Sequence, residues 1–191
     1  MSVSEHAFGA REFQLVMLRR MADHQPGLVE EARTSLGANA TEMRAANARW
    51  QRMLRSPRAV GGPPRLRSIL GPPIAEFGRR VGDLDCRIVQ WRLPLWPGLR
   101  FEALYGPGPA GAPFLEMLVR DPESRPPQPE ALADLTPWTY VIGEVAHAFA
   151  PVRHVEGSAP RRATILFEAA GLRVAADFVW GLLQTVRELP A

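Results

Sequence analysis

Glu144 and His147 lie one helical turn apart in a stretch with helical spacing, and His154 and Glu156 follow closely. A Glu-x-x-His pair on one helix face is part of what a di-iron carboxylate bundle uses, but such a site takes two pairs and two further Glu from four helices. A zinc site needs three or four converging ligands, and His147 with His154 supplies two. The pair therefore reads as a solvated helix face, and no metal ligand is assigned. Cys86 is the single cysteine. A cysteine nucleophile needs a nearby base and a favoured thiolate, whereas Asp83 and Asp85 place negative charge beside this one. It reads as a small, half-buried residue at a strand start. Neither G-x-S-x-G nor G-x-x-x-x-G-K-[ST] occurs, and the prolines of Gly106-Pro107-Gly108-Pro109 remove the N–H groups that a phosphate loop needs. No catalytic residue and no cofactor is assigned. A small-molecule enzyme stays open as an alternative in which Glu144, His147 or Tyr105 points into a pocket between sheet and helices.

Guanidinium groups are the other chemistry on offer. All 23 basic residues are Arg, which a GC-rich genome explains together with the abundant Ala, Gly and Pro. Their distribution says more. Residues 1–80 hold 13 Arg against 7 acids, whereas 81–191 hold 10 against 13. Within 44–80 nine Arg face the one acid Glu76. Arg44, Arg49, Arg52, Arg55, Arg58, Arg65 and Arg67 are thus the candidate anion or nucleic-acid contacts, with Trp50 as a stacking residue.

The elements that must carry these groups follow from periodicity. Phe13, Met17 and Met21 predict a helix over 5–22, ended by Asp23-His24-Gln25-Pro26. Leu36, Met43 and Trp50, spaced by seven with Ala46 and Met53 beside them, predict a second helix over 27–55 with a narrow apolar seam, and Gly37 and Asn39 mark a break near 37–40. This seam is the candidate partner-binding surface: Leu36, Met43, Trp50 and Met53. Prolines at 57, 63, 64, 72 and 73 with Gly61-Gly62 have the composition of a linker, followed by a short helical turn at 74–80.

Beyond it, three runs alternate with period two. They are Val89-Trp91-Leu93-Leu95, Leu99-Phe101-Ala103-Tyr105 and Leu115-Met117-Val119, which predict an antiparallel meander with one buried face. Thr136-Pro137 opens a helix through Trp138, Val141, Ile142, Val145 and Phe149. A fourth strand is expected at 164–168, and a closing helix at 177–189 on Phe178, Leu182 and Val186. The N-terminal helix, the meander and the run Tyr105-Gly106-Pro107-Gly108 with Gly111-Ala112-Pro113-Phe114 before a Pro-rich segment resemble ubiquitin-conjugating enzymes over residues 74–150. No cysteine follows the Pro-rich segment, so the resemblance implies a non-catalytic binding domain.

Together these readings predict an α+β protein: a helical hairpin or arm at 1–56, a Pro/Gly/Arg-rich linker at 57–80, and a domain at 81–191 with a meander sheet packed by two helices. No run reaches the ~18 apolar residues of a membrane helix, and Leu15-Val16-Met17-Leu18 is too short and too hemmed by Arg for a signal peptide. A cytoplasmic protein is expected, with no membrane partner. Its expected function is non-enzymatic interaction or assembly through the Arg-rich arm, with a protein partner or a second copy; nucleic acid bound by 44–80 is the alternative.

Overall fold

In the computed structural model of the protein, residues 7–56, 62–108, 113–156, 159 and 161–190 are described; Arg58 lies outside them. The α+β expectation holds. Helices α1 (Ala10–Met21), α2 (Pro26–Ser35), α3 (Ala40–Arg55) and α4 (Gly62–Leu70) precede a four-stranded antiparallel sheet. Its strands β1 (Ala75–Val81), β2 (Leu84–Arg92), β3 (Leu99–Tyr105) and β4 (Leu115–Arg120) lie in sequence order. A short 3-10 turn (Leu132–Asp134) and α5 (Ile142–Ala148) lead to a second sheet. That sheet is a meander of β5 (Arg153–Glu156), β6 (Arg162–Ala169), β7 (Leu172–Val179) and β8 (Leu182–Glu188).

Local chemistry explains the boundaries. The break near 37–40 is real. Gly37 takes φ +60, and Asn39 caps α3 by accepting from the Glu42 N–H at 2.9 Å while Glu42 accepts from the Asn39 N–H at 2.9 Å. Within the described part of the expected linker, Pro63 and Pro64 sit in the first turn of α4, where a missing N–H costs little. Residues 74–80, expected as a helical turn, form most of β1 instead. Gly82, at φ +57, occupies the first central position of a two-residue hairpin turn to β2.

The expected closing helix at 177–189 is two strands. Val179 pairs with Leu182 across the turn Trp180-Gly181, both at positive φ (53 and 73), which is the geometry of a type I′ hairpin. Phe178 and Leu182 keep a helical interval only because a turn separates them. The helix expected from Trp138 is shorter, since residues 138–141 form a turn and a single bridge against β8 before α5 begins at Ile142. There Trp138 N–H donates to the Leu183 carbonyl and Leu183 N–H to that of Tyr140.

The core draws on all three expected parts, arm, linker and domain. Phe13 of α1 meets Trp50 of α3 edge-on at 5.5 Å, Phe101 of β3 at 5.1 Å and Trp180 of the second sheet at 6.0 Å. One apolar cluster thus runs from Phe8 through α1, α3 and α4 to Trp91, Phe101, Leu118 and Trp180. The buried Gln14 side chain ties the same parts together, donating to the Ala10 carbonyl and accepting from the Leu95 N–H at 2.9 Å. A second cluster fills the space between α5 and the second sheet, with Val145, Ile165, Phe167, Val174 and Phe178. Residues of α1, α3 and α4 thus share one core with both sheets. Among the described residues no helix is long and apolar enough to cross a membrane.

Candidate functional site

The expected partner seam is already occupied. Trp50 is 1% exposed, stacked on Phe8 at 5.9 Å, and Met43 is buried; Leu36 and Met53 pack against the same cluster. An amphipathic helix needs a cover for its apolar face, and α1 supplies it within the chain. Of the basic residues, Arg44, Arg52 and Arg55 are exposed on α3, with Arg44 donating to the Thr41 hydroxyl. Arg49 lies over the Phe8 ring at 5.8 Å. Arg67 pairs with Glu76, while Arg65 is half-buried on α4. Arg11, outside the expected set, closes the α2–α3 corner through the Leu36 and Gly37 carbonyls and Glu42.

The groups considered for catalysis do not converge. Glu144 accepts from Arg120 at 2.6 and 2.9 Å and from the Val141 N–H at 3.0 Å, which occupies its carboxylate in holding α5. His147 is exposed along a groove of ≈ 660 Å³ between α5 and residues 126–130, and His154 is exposed on β5. Tyr105 sits on the opposite, helix-covered face of the first sheet. Its hydroxyl is buried without a hydrogen-bond partner, and burial, with Glu116 nearby, pushes its pKa up. Glu116 is itself buried. Desolvation pushes its carboxyl up, Arg161 pulls it back, and the Glu116–Arg161 pair ties β4 to the second sheet. Arg161 also lies over Trp180 at 4.9 Å. Cys86 is buried on the outer face of β2. No three potential metal-ligating side chains gather among the described residues.

What the sequence reading missed is the outer face of the first sheet. Val89, Trp91, Phe101, Ala103 and Leu118 face the helices, as the strand register requires. Leu115, Met117 and Val119, expected to be buried with them, are on the opposite face. There the pairs Phe77↔Ile88, Ile88↔Leu104 and Leu104↔Leu115 draw one apolar row across all four strands. Val81 and Leu84 extend it along the β1–β2 hairpin. The Phe114 ring lies so close over Gly106 that a Cβ there would come within 2.3 Å of it. Phe77 (46%), Leu84 (46%), Leu115 (45%) and Phe114 (63%) stay exposed, as does Val81. These five make up most of the seven exposed large apolar side chains among the described residues, so the exposure is concentrated at one end of one face. A groove of ≈ 570 Å³ crosses that face, lined by Arg79, Val81, Leu104, Leu115 and Met117 and closed on one side by Ile142 and Glu144 of α5.

The other end of the face is polar and hydrogen-bonded. Asp121 is buried just past β4, accepts from Arg100 at 2.9 Å and Arg92 at 3.2 Å, and takes the Glu123 N–H at 3.0 Å. The Arg100 contact, followed by the Glu123 N–H, holds its carboxyl well below the usual carboxylate range. Gln90 links this network to Glu102 at 2.7 Å.

Comparison with known proteins found no matching family, no matching curated protein and no matching solved structure. Function rests on geometry.

Proposed function

We propose that this chain is a non-enzymatic interaction or assembly protein whose docking surface is the outer face of the first sheet at its β1–β2 end. The observation that carries the reading is the apolar row Phe77–Ile88–Leu104–Leu115, in which Phe77 and Leu115 are exposed, Leu104 is half-buried and Ile88 is buried, flanked by exposed Val81, Leu84 and Phe114. Isolated exposed apolar residues are ordinary, but a contiguous group rimmed by polar side chains is characteristic of a protein contact. Arg79 at the groove and the Asp121 network beyond it supply the rim. The interaction role expected from the sequence is kept, while the surface moves from the α3 seam to the sheet. One buried free cysteine suits a reducing compartment, the cytoplasm.

Photo-crosslinking tests the proposal. A photoreactive residue at Leu84 or Leu115, in chain produced in its own cells, is expected to give discrete higher-mass adducts. The same residue at Arg52 on α3 is expected to give none. Adducts from Arg52 alone would reverse the assignment.

A second reading, anion or nucleic-acid contact, is favoured by Arg44, Arg52 and Arg55 standing exposed along one helix. It predicts a fluorescence-anisotropy shift with a single-stranded oligonucleotide at ~50 mM salt that fades by ~200 mM and is lost when all three become Gln. No shift at the lower salt removes it.

A further inference from the structure

The first sheet ends in an open strand. The free edge of β4 is capped where the Leu118 N–H donates to the Trp180 carbonyl at 2.7 Å. That of β8 is capped at its start by residues 138–142, and β5 is only four residues long. By contrast β1 has seven residues, contains no proline, is exposed over most of its length and, among the described residues, pairs on one side alone. A strand edge of this kind offers unpaired N–H and C=O groups to another strand.

The hairpin turn decides which groups those are. Val81 and Leu84 flank a two-residue turn and so form a hydrogen-bonded pair; such pairs alternate with non-bonded ones along an antiparallel ladder. Arg79 and Phe77 therefore bond inward to Cys86 and Ile88. The backbone groups of Glu76, Gly78 and Arg80 face the open edge.

We infer that β1 pairs antiparallel with β1 of a second copy of this chain, about a two-fold axis through Gly78. This rests on the reading that the β1–β2 end of the sheet is the docking region, and it names the occupant. In that register the outward-facing groups meet each other: Gly78 opposite Gly78, and Glu76 opposite Arg80 of the second copy, twice over by symmetry. On the outer face Phe77 meets Arg79, and Ala75 meets Val81. Opposite charges across an antiparallel pair are favourable and like charges are not. Moving the axis to Arg79 or Arg80 sets a guanidinium against its own copy. Moving it to Phe77 leaves Arg79 opposite Ala75 and Arg80 opposite Ile74, with no charge pair. The Gly78 register alone matches both the backbone and the charges. It makes one eight-stranded sheet, with the helices of both copies on one side and the two apolar rows continuous on the other.

Sedimentation velocity on the full chain tests this. A concentration-dependent dimer is expected, with a Kd in the range of about 1–100 µM for a contact of this small size. Glu76→Arg sets two Arg–Arg pairs across the axis and Arg80→Glu two Glu–Glu pairs, so each alone is expected to raise Kd by about tenfold or more. Mixing the two singly substituted chains restores Glu–Arg opposition at both positions, so the mixture is expected to dimerise where neither component does. Circular dichroism on each variant checks that it is folded, and a misfolded single is replaced by Arg80→Ser against Glu76→Ser. A monomer at ~200 µM, or a dimer indifferent to both reversals, overturns the pairing. If Leu115 then still crosslinks to a different protein, the docking face stands and only its occupant is wrong.

Discussion

Asp121 is the buried carboxylate on which the polar end of the outer face depends, and its behaviour with pH is predictable in sign. Its pKa is depressed in the folded chain by Arg100, the Glu123 N–H and Arg92, so the ionised form is bound more tightly than in the unfolded chain. The stability this contributes is fully present above the unfolded value of about 3.9 and is lost as pH falls further. Asp121→Asn is therefore expected to lower Tm at pH 7, with the gap to the parent chain closing as pH falls below about 4. Thermal melts by circular dichroism across that range check it; a gap constant with pH would refute the linkage. Trp50 gives the matching prediction for the core. Trp50→Ala is expected to cost about 3–5 kcal/mol in urea unfolding, whereas Arg52→Gln, two residues away and exposed, stays within about 0.5 kcal/mol. A mild Trp50→Ala would revive the idea that this seam waits for a partner.

Among the elements, the Trp180-Gly181 turn holds the two sheets together, because its Trp180 carbonyl caps β4 and its indole lies in the shared core. Gly181, at φ +73, has no room for a side chain: a Cβ would meet the Met117 Cβ at 2.9 Å and the Leu118 carbonyl oxygen at 3.0 Å. Gly171 has a similar φ of +76 in the preceding hairpin, but open space around it. Gly181→Ala is expected to cost about 3 kcal/mol and Gly171→Ala about 1 kcal/mol, the excess being the clash. Equal losses in chemical denaturation would show that backbone strain alone operates at both. This turn also shows where sequence reasoning stops. The helices α1 and α3, the break between α2 and α3 at Gly37–Asn39 and the strands β2 to β4 were legible, because caps and period-two or period-3.6 spacing act locally. The β7–β8 hairpin was not, since Phe178, Leu182 and Val186 keep a helical interval across it. β1 was hidden by the prolines before it, and its pairing with β2 is what gives it strand form. The outer apolar row was equally invisible: Leu115, Met117 and Val119 look like a core face until the register places Leu118 toward the helices instead.

Taken whole, the molecule is two meander sheets joined through α1, with the cationic front folded into the same core as the rest. Charge segregation along the chain therefore does not translate into two separate bodies. Arg162 of β6 pairs with Asp23 beyond α1, Arg67 of α4 with Glu76 of β1, and Gln25 reaches the Gln184 carbonyl. Among the described residues, most of the exposed large apolar groups gather on the outer side of the first sheet. Hydroxyl-radical footprinting of the chain at ~1 µM and at ~200 µM tests association there directly. Pairing of β1 with a second copy predicts that Phe77 and Val81 on β1 lose reactivity at the higher concentration while the α3 surface around Arg44 and Arg52 stays unchanged. Protection on α3, with Phe77 and Val81 as reactive as before, would contradict it.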